Sequence, residues 1–217
     1  MYIPAPFRES DRATLYDFIV AHPLGVLVSA MADGHATAPY ATHVPLHLDR
    51  ERGVLTGHLA RMNPHVQRLQ PTGSTLVPGL VVFSGVDHYI TPSWYETKRE
   101  HGKAVPTWNY VVVHAHGRLR AIDDADWLLG NLEALVAHHE AGFAEPWQIG
   151  DAPPEYIEKM LSAIVGIEIE ITELKGKWKT SQNQPPANRA GVVAGLRELG
   201  TEEAAAMAEL VAATLKP

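Results

Sequence analysis

The sequence predicts an α+β fold, an antiparallel β-barrel with helices at its flanks. Strand-like segments follow one another through turns, and helical segments sit at the margins rather than between every pair. The regular βαβ alternation of a doubly wound sheet is absent. Neither GxGxxG nor GxxxxGKS/T occurs, so Rossmann-type and P-loop phosphate sites are excluded.

Taken in order, residues 10–21 read as a short amphipathic helix, with Ser10 and Asp11 as a polar start before Leu15, Tyr16, Phe18 and Ile19. Pro23 and Gly25 punctuate the chain before a strand at 26–30. Asp33-Gly34 is a hairpin turn signal. The return strand spans 35–46, where Pro39 and Pro45 place it at a sheet edge or beside a bulge. Residues 54–59 form a third strand, 65–70 one helical turn or two, and 74–85 a β-rich apolar segment. The clearest strand is 107–122, built around Val111-Val112-Val113. Asp123, Asp124 and Asp126 then begin a helix that runs to about residue 139. Pro146, Pro153 and Pro154 interrupt the chain before a second helix at 154–161. Ile167, Ile169 and Ile171 alternate with Glu168, Glu170 and Thr172, which marks 164–174 as a half-buried strand. From Asn188 the chain is Ala-rich and helical, with a break near Gly200-Thr201. A single domain over 1–217 is expected, with the segment 175–217, a basic loop plus helix, packed on it.

Its 217 residues are 46% apolar and 20% charged, enough for a core of one domain. No run of about 18 apolar residues offers a spanning helix. Residues 1–7 lack a basic and then an apolar region, so no signal peptide is expected. With no cysteine, disulfides, thiolate metal sites and a cysteine nucleophile are excluded, and a cytoplasmic location is expected. The 18 basic residues are outnumbered by 25 acidic ones, a net charge of −7. With acidic residues in excess and no helix-turn-helix, direct DNA binding has no support. A small anion needs only a local cluster of donors.

Three segments are chemically dense. In the first, Gly57-His58-Leu59-Ala60-Arg61-Met62-Asn63-Pro64-His65, a strand runs into a turn bearing an Arg fork suited to phosphate. A solvated loop with a capping Asn is the plain alternative. The second spans 87–98 and 105–110, where Trp94, Trp108, Tyr89, Tyr95 and Tyr110 interleave with Lys98, Asn109 and hydroxyls. Flat rings among donors suit a planar ligand with a phosphorylated tail, although core or interface anchoring is their commoner use. The third, Lys175 to Asn183, is the basic stretch of an acidic chain, read as a solvated face or as a lid over an anion. His114 and His116 face one side of a strand, but no carboxylate stands at ligand spacing, so the 12 histidines predict no metal site.

Together these segments resemble the PaiB family of FMN-binding negative transcriptional regulators. The resemblance rests on Met1-Tyr2-Ile3-Pro4, the Gly57–Pro64 stretch, Tyr89-Ile90-Thr91-Pro92-Ser93-Trp94-Tyr95 with Lys98, and Val105-Pro106-Thr107-Trp108-Asn109-Tyr110. It continues through Lys179-Thr180-Ser181-Gln182-Asn183 to Arg189-Ala190-Gly191-Val192. It implies a split β-barrel of the pyridoxamine-phosphate-oxidase type, a homodimer with FMN at the subunit interface. By that analogy Thr56, His58, Arg61 and Asn63 hold the phosphate, and the isoalloxazine lies along Thr42, His43 and Val44. Trp108, Asn109 and Tyr110 come from the other subunit, with Lys98, Lys179 and Gln182 completing the site. The implied function is regulation through flavin or small-molecule sensing. Two alternatives are a flavin-dependent oxidoreductase and a haem-binding barrel using His43, His58, His114 or His116.

Overall fold

The computed structural model describes residues 1–32, 37–69 and 76–215. The Asp33-Gly34 turn, and the expected element ends at 35, 70 and 74, lie outside the described residues. The chain forms two compact units, each made of separate stretches: Tyr16–Phe83 with His114–Leu174, and Met1–Leu15 with Ser84–Val113 and Lys175–Pro217.

The elements are β1 (Arg8–Glu9), α1 (Arg12–Ala21), β2 (Leu24–Ala32), β3 (Thr37–Pro45), β4 (His47–Asp49), β5 (Val54–Ala60), α2 (Pro64–Leu69) and β6 (Val77–Ile90). They continue as α3 (Glu96–His101), β7 (Thr107–Ile122), α4 (Ala125–Glu140), α5 (Pro154–Ser162), β8 (Ile164–Lys179), α6 (Pro186–Leu199) and α7 (Glu202–Ala213). The strands follow the order β3-β2-β6-β7-β8-β5-β4, with β1 on β8.

In the larger unit, β5 and β8 pair antiparallel from Val54↔Glu170 to Ala60↔Ile164. Period-two alternation turns Leu55 and Leu59 inward with their partners Ile169 and Val165, while Thr56 and His58 take the opposite face with Glu168 and Gly166. The prolines of β3 belong where the sequence puts them, since β3 ends the strand order and a proline cannot donate to a second neighbour. The end of β3 comes against β5 at Gly57. A Cβ there would lie 2.9 Å from the Pro45 carbonyl oxygen and 2.9 Å from Leu46 Cδ2, so glycine is what lets β3 and β5 approach. At the start of α4 the capping carboxylate is that of Asp124, which accepts from the Trp127 amide at 2.8 Å.

In the smaller unit, α6 and α7 close over Ile90 and Tyr95 through Val192, Val193, Leu196, Met207 and Val211. Gly200, at φ 69°, ends α6, and Thr201 caps α7, the break expected from the sequence. Two features differ from the sequence expectation. Residues 175–179 continue β8 as a strand paired with β1 at Arg8↔Lys177 and Glu9↔Gly176, rather than forming a loop. The helix α3, preceded by a 3-10 turn at Pro92–Trp94, was not anticipated.

Candidate functional site

The Gly57–His65 segment folds into the end of β5 and the start of α2, and its donors turn inward. Arg61 Nε donates to the Ser162 carbonyl at 2.9 Å, and Nη1 and Nη2 donate to the two Asp123 oxygens at 2.7 Å each. Nη2 also reaches the Ile164 carbonyl at 3.1 Å. These hydrogen bonds hold the Asp123 carboxyl below its ordinary range and push the guanidinium up. The fork expected for phosphate is thus engaged within the chain. Because the pair is 37% and 53% exposed, we expect Arg61→Ala to cost about 1–2 kcal/mol of stability. Urea unfolding measures that loss, and flavin titration is expected to show affinity within about twofold of the parent, a ~0.4 kcal/mol change.

Asn63 caps α2, its Oδ1 accepting from the His65 amide at 2.8 Å. His65 is fully buried between hydroxyls, with Ser29 Oγ 2.8 Å from Nε2 and Thr42 Oγ1 3.0 Å from Nδ1. Val44 lies in the core, whereas His43 is exposed on the other face of β3. Thr56 is buried, and His58 is half-buried with no partner on Nδ1. His114 and His116 do share a face, their ring centroids 6.3 Å apart. Among the described residues no group of three ligands could hold a metal.

Burial lowers the His58 pKa, so the folded state binds that proton more weakly than the unfolded chain does. The stability tied to the neutral ring is full above pH ~6.5 and is lost as the pH falls through the folded-state value. A His58→Gln protein is expected to lose stability less steeply below pH ~6.5, read from urea midpoints across a pH series.

The second and third segments converge in the smaller unit. The start of β7, the end of β8 and the turn before α6 enclose a cavity of about 170 Å³ lined by Tyr95, Val105, Thr107, Asn109, Lys179 and Ser181, among others. Lys179 Nζ donates to Thr107 Oγ1 and to the Trp108 carbonyl. Two residues earlier on the same strand face, Lys177 is 8% exposed. Its ammonium stands 5.0 Å from the Tyr110 ring centroid, and that of Lys179 stands 6.0 Å away. Among the described residues neither lysine has a carboxylate partner. Burial, and secondarily Lys177, pushes the Lys179 pKa down.

Asn109 is 1% exposed; its Nδ2 donates to Ser181 Oγ at 2.9 Å, and its Oδ1 has no partner. Ser181 adopts φ 66°, a left-handed conformation that costs a non-glycine residue energy and collects at functional sites. Gln182 secures this turn, accepting from the Thr180 amide at 2.8 Å and donating to the Trp178 carbonyl at 2.6 Å. Of the residues named from the sequence, Asn109 and Lys179 line the cavity, Trp108 and Tyr110 flank them, and Gln182 shapes the turn. Lys98 is on exposed α3 and bonds Ser93 Oγ at 3.2 Å. Lys177, Thr107, Ser181 and Tyr95 lie within the dense segments named from the sequence but were not assigned there to the site. The Lys175-x-Lys177-x-Lys179 alternation was the available signal, since a period of two puts all three on one strand face.

Solved structures share the architecture. The FAD and haem binding protein from Mycobacterium smegmatis aligns with TM-score 0.57 at 18% identity, covering 79% of this chain and 73% of that one. The flavocytochrome Anf3 from Azotobacter vinelandii aligns with TM-score 0.56 at 18% identity, covering 79% and 69%. The fold is the antiparallel split β-barrel with flanking helices. The family model described as "Putative FMN-binding domain" matches residues 1–173. Protease synthase and sporulation protein PAI 2 of Bacillus subtilis is 30% identical, with 100% of this chain and 99% of that protein aligned. An uncharacterised protein of Emericella nidulans is 35% identical over 97% and 96%. The chain belongs to this FMN-binding, PaiB-like family, whose cofactor is FMN.

Proposed function

We propose that this protein holds FMN at the Lys177–Lys179 cavity and acts, as a homodimer, as a flavin-dependent regulator of gene expression. The observation that carries the reading is the pair of lysines over Tyr110, Lys177 buried and Lys179 half-buried, with no carboxylate partner among the described residues. Two desolvated like charges are costly unless an anion offsets them. FMN provides that negative charge together with a flat ring for the tyrosine and proline walls. The bound flavin supplies electron or hydride transfer; the chain supplies binding, orientation and local charge. Exposed Tyr89, Val105 and Trp108 offer apolar surface suited to a second copy. The regulatory output is read from the PaiB resemblance, and the Bacillus relative carries the name protease synthase and sporulation protein PAI 2.

The test is quenching of FMN fluorescence on titration with the full-length protein. Saturable quenching that weakens about 10- to 100-fold in Lys179→Ala, the loss of a charged hydrogen bond, is expected. Absence of quenching in the parent protein at high FMN would sink the reading. Rapid anaerobic bleaching of the bound flavin by NADH or NADPH would instead favour the flavin-dependent oxidoreductase.

A further inference from the structure

We propose that the larger unit carries a second small-molecule site, a cavity against the C-terminal half of α4 that takes an organic cation, an ammonium on a flat apolar body. The cavity measures about 460 Å³, within the roughly 300–1,000 Å³ of sites that enclose a small ligand. It shares no residue with the Lys179 cavity.

Its floor is one stripe of α4. The buried face of that helix is Leu128, Asn131 and Leu135. Glu133, Val136, Ala137 and Glu140, at the spacing i, i+3, i+4 and i+7, form a second face and line the cavity. The facing wall is the segment 146–150, with Pro146, Trp147 and Ile149. That wall is fixed in place. The Trp147 amide donates to Glu140 Oε2 at 2.9 Å, and the Gln148 amide donates to Asp151 Oδ2 at 2.8 Å. Trp147 is thus held among apolar residues and is still 43% exposed, a large ring with room for a further apolar partner.

Both charged side chains on the cavity are negative, and no lysine or arginine lines it. Among the described residues neither Glu133 nor Glu140 has an ion-pair partner. The last carbonyls of α4 add partial negative charge at the same end, where Glu140 stands against the helix dipole rather than with it. The histidines of that turn, His138 and His139, are exposed and do not line the cavity. An acidic chain places carboxylates on many faces. Here, however, they occupy the stripe that would be apolar if α4 merely packed on the following segment. A cation offsets this charge, and a tryptophan is the ring that attracts one most strongly. An anion such as FMN is repelled, so this is not a second flavin site.

The test titrates three probes of similar shape and different charge, phenethylammonium, phenethyl alcohol and phenylacetate, into the full-length protein by calorimetry. The ammonium is expected to bind about 3- to 30-fold more tightly than the alcohol, the worth of two exposed ion pairs, with phenylacetate weakest. High salt is expected to remove most of that preference. The double variant Glu133→Gln, Glu140→Gln is expected to abolish it and to leave the alcohol within about twofold of the parent. A glutamine oxygen still accepts from the Trp147 amide, so the wall stays in place. Ala137→Leu fills the cavity from an exposed helix position and is expected to weaken the ammonium and the alcohol about tenfold or more. Equal affinity for ammonium and alcohol, no binding of the ammonium by the parent, or unchanged binding in Ala137→Leu would each overturn the proposal. So would sedimentation showing that Ala137→Leu splits a parent dimer, which gives this face to a second copy.

Discussion

Replacing His65 with leucine is expected to lower the unfolding free energy by about 2–5 kcal/mol. The ring is fully buried, and each nitrogen meets a hydroxyl, Ser29 from β2 and Thr42 from β3. Leucine is of similar bulk, so little of the loss arises from a cavity. The loss comes from stranding the buried Ser29 hydroxyl, at about 1–3 kcal/mol, and the half-buried Thr42 hydroxyl at somewhat less. Against a typical total of 5–15 kcal/mol this is a large fraction. The same accounting predicts a rescue. In the triple variant Ser29→Ala, Thr42→Val, His65→Leu no polar group is left stranded, and most of the stability is expected to return. Urea denaturation of the single and triple variants settles it. A single variant within about 0.5 kcal/mol of the parent, the ordinary scatter of surface substitutions, would show that the hydroxyls find other partners. Folded His65→Leu protein is expected to bind FMN as the parent does, which separates a structural histidine from a ligand.

Gly191→Ala is expected to destabilise by about 2–3 kcal/mol although alanine is the better helix former. A Cβ at that position of α6 would lie 2.0 Å from the Trp94 carbonyl oxygen, and one at Gly195 would lie 2.2 Å from the Trp94 ring. A backbone oxygen cannot rotate away as a side-chain tip can. The helix must therefore shift, and it carries Val192, Val193 and Leu196 of the core with it. The gain of about 1 kcal/mol in helix propensity does not offset that overpacking. Gly130 in α4 is the control, with nothing within 4 Å of its would-be Cβ. Gly130→Ala is expected to stabilise by about 0.5–1 kcal/mol. Thermal unfolding of the two variants should move in opposite directions.

Much of the barrel was legible because its strands obey local rules. Residues 107–122 match β7 end for end, since a β-branched run is bounded by Pro106 and by Asp123 and Asp124. The edge position of β3 followed from Pro39 and Pro45. The last turns of β8 were not legible as strand, because Lys175, Lys177 and Lys179 look solvated until Tyr110, far away in sequence, supplies a ring beneath two of them. The same limit applies to Arg61. Its fork has the chemistry of a phosphate grip, and only the fold shows that Asp123, 62 residues away, already fills it. Donor chemistry can be read from residue type, but whether a donor is free depends on long-range partners.

The approach of β3 to β5 at Gly57 has a consequence for how the barrel breathes. Among the described residues no hydrogen-bond ladder joins those two strands; β3 is held there by packing and by running through Leu46 into β4, which is laddered onto β5 from His47↔Thr56 to Asp49↔Val54. The outward-facing amides of β3 stand in a row of which Pro39 and Pro45 supply no N–H at all. In native-state hydrogen exchange, therefore, the outward-facing β3 amides are expected to exchange well before those of β5 and β8, which are laddered from Val54 to Ala60, while the β3 amides that face β2 stay paired. The barrel thus has a seam along which it can part locally while its central strands stay paired.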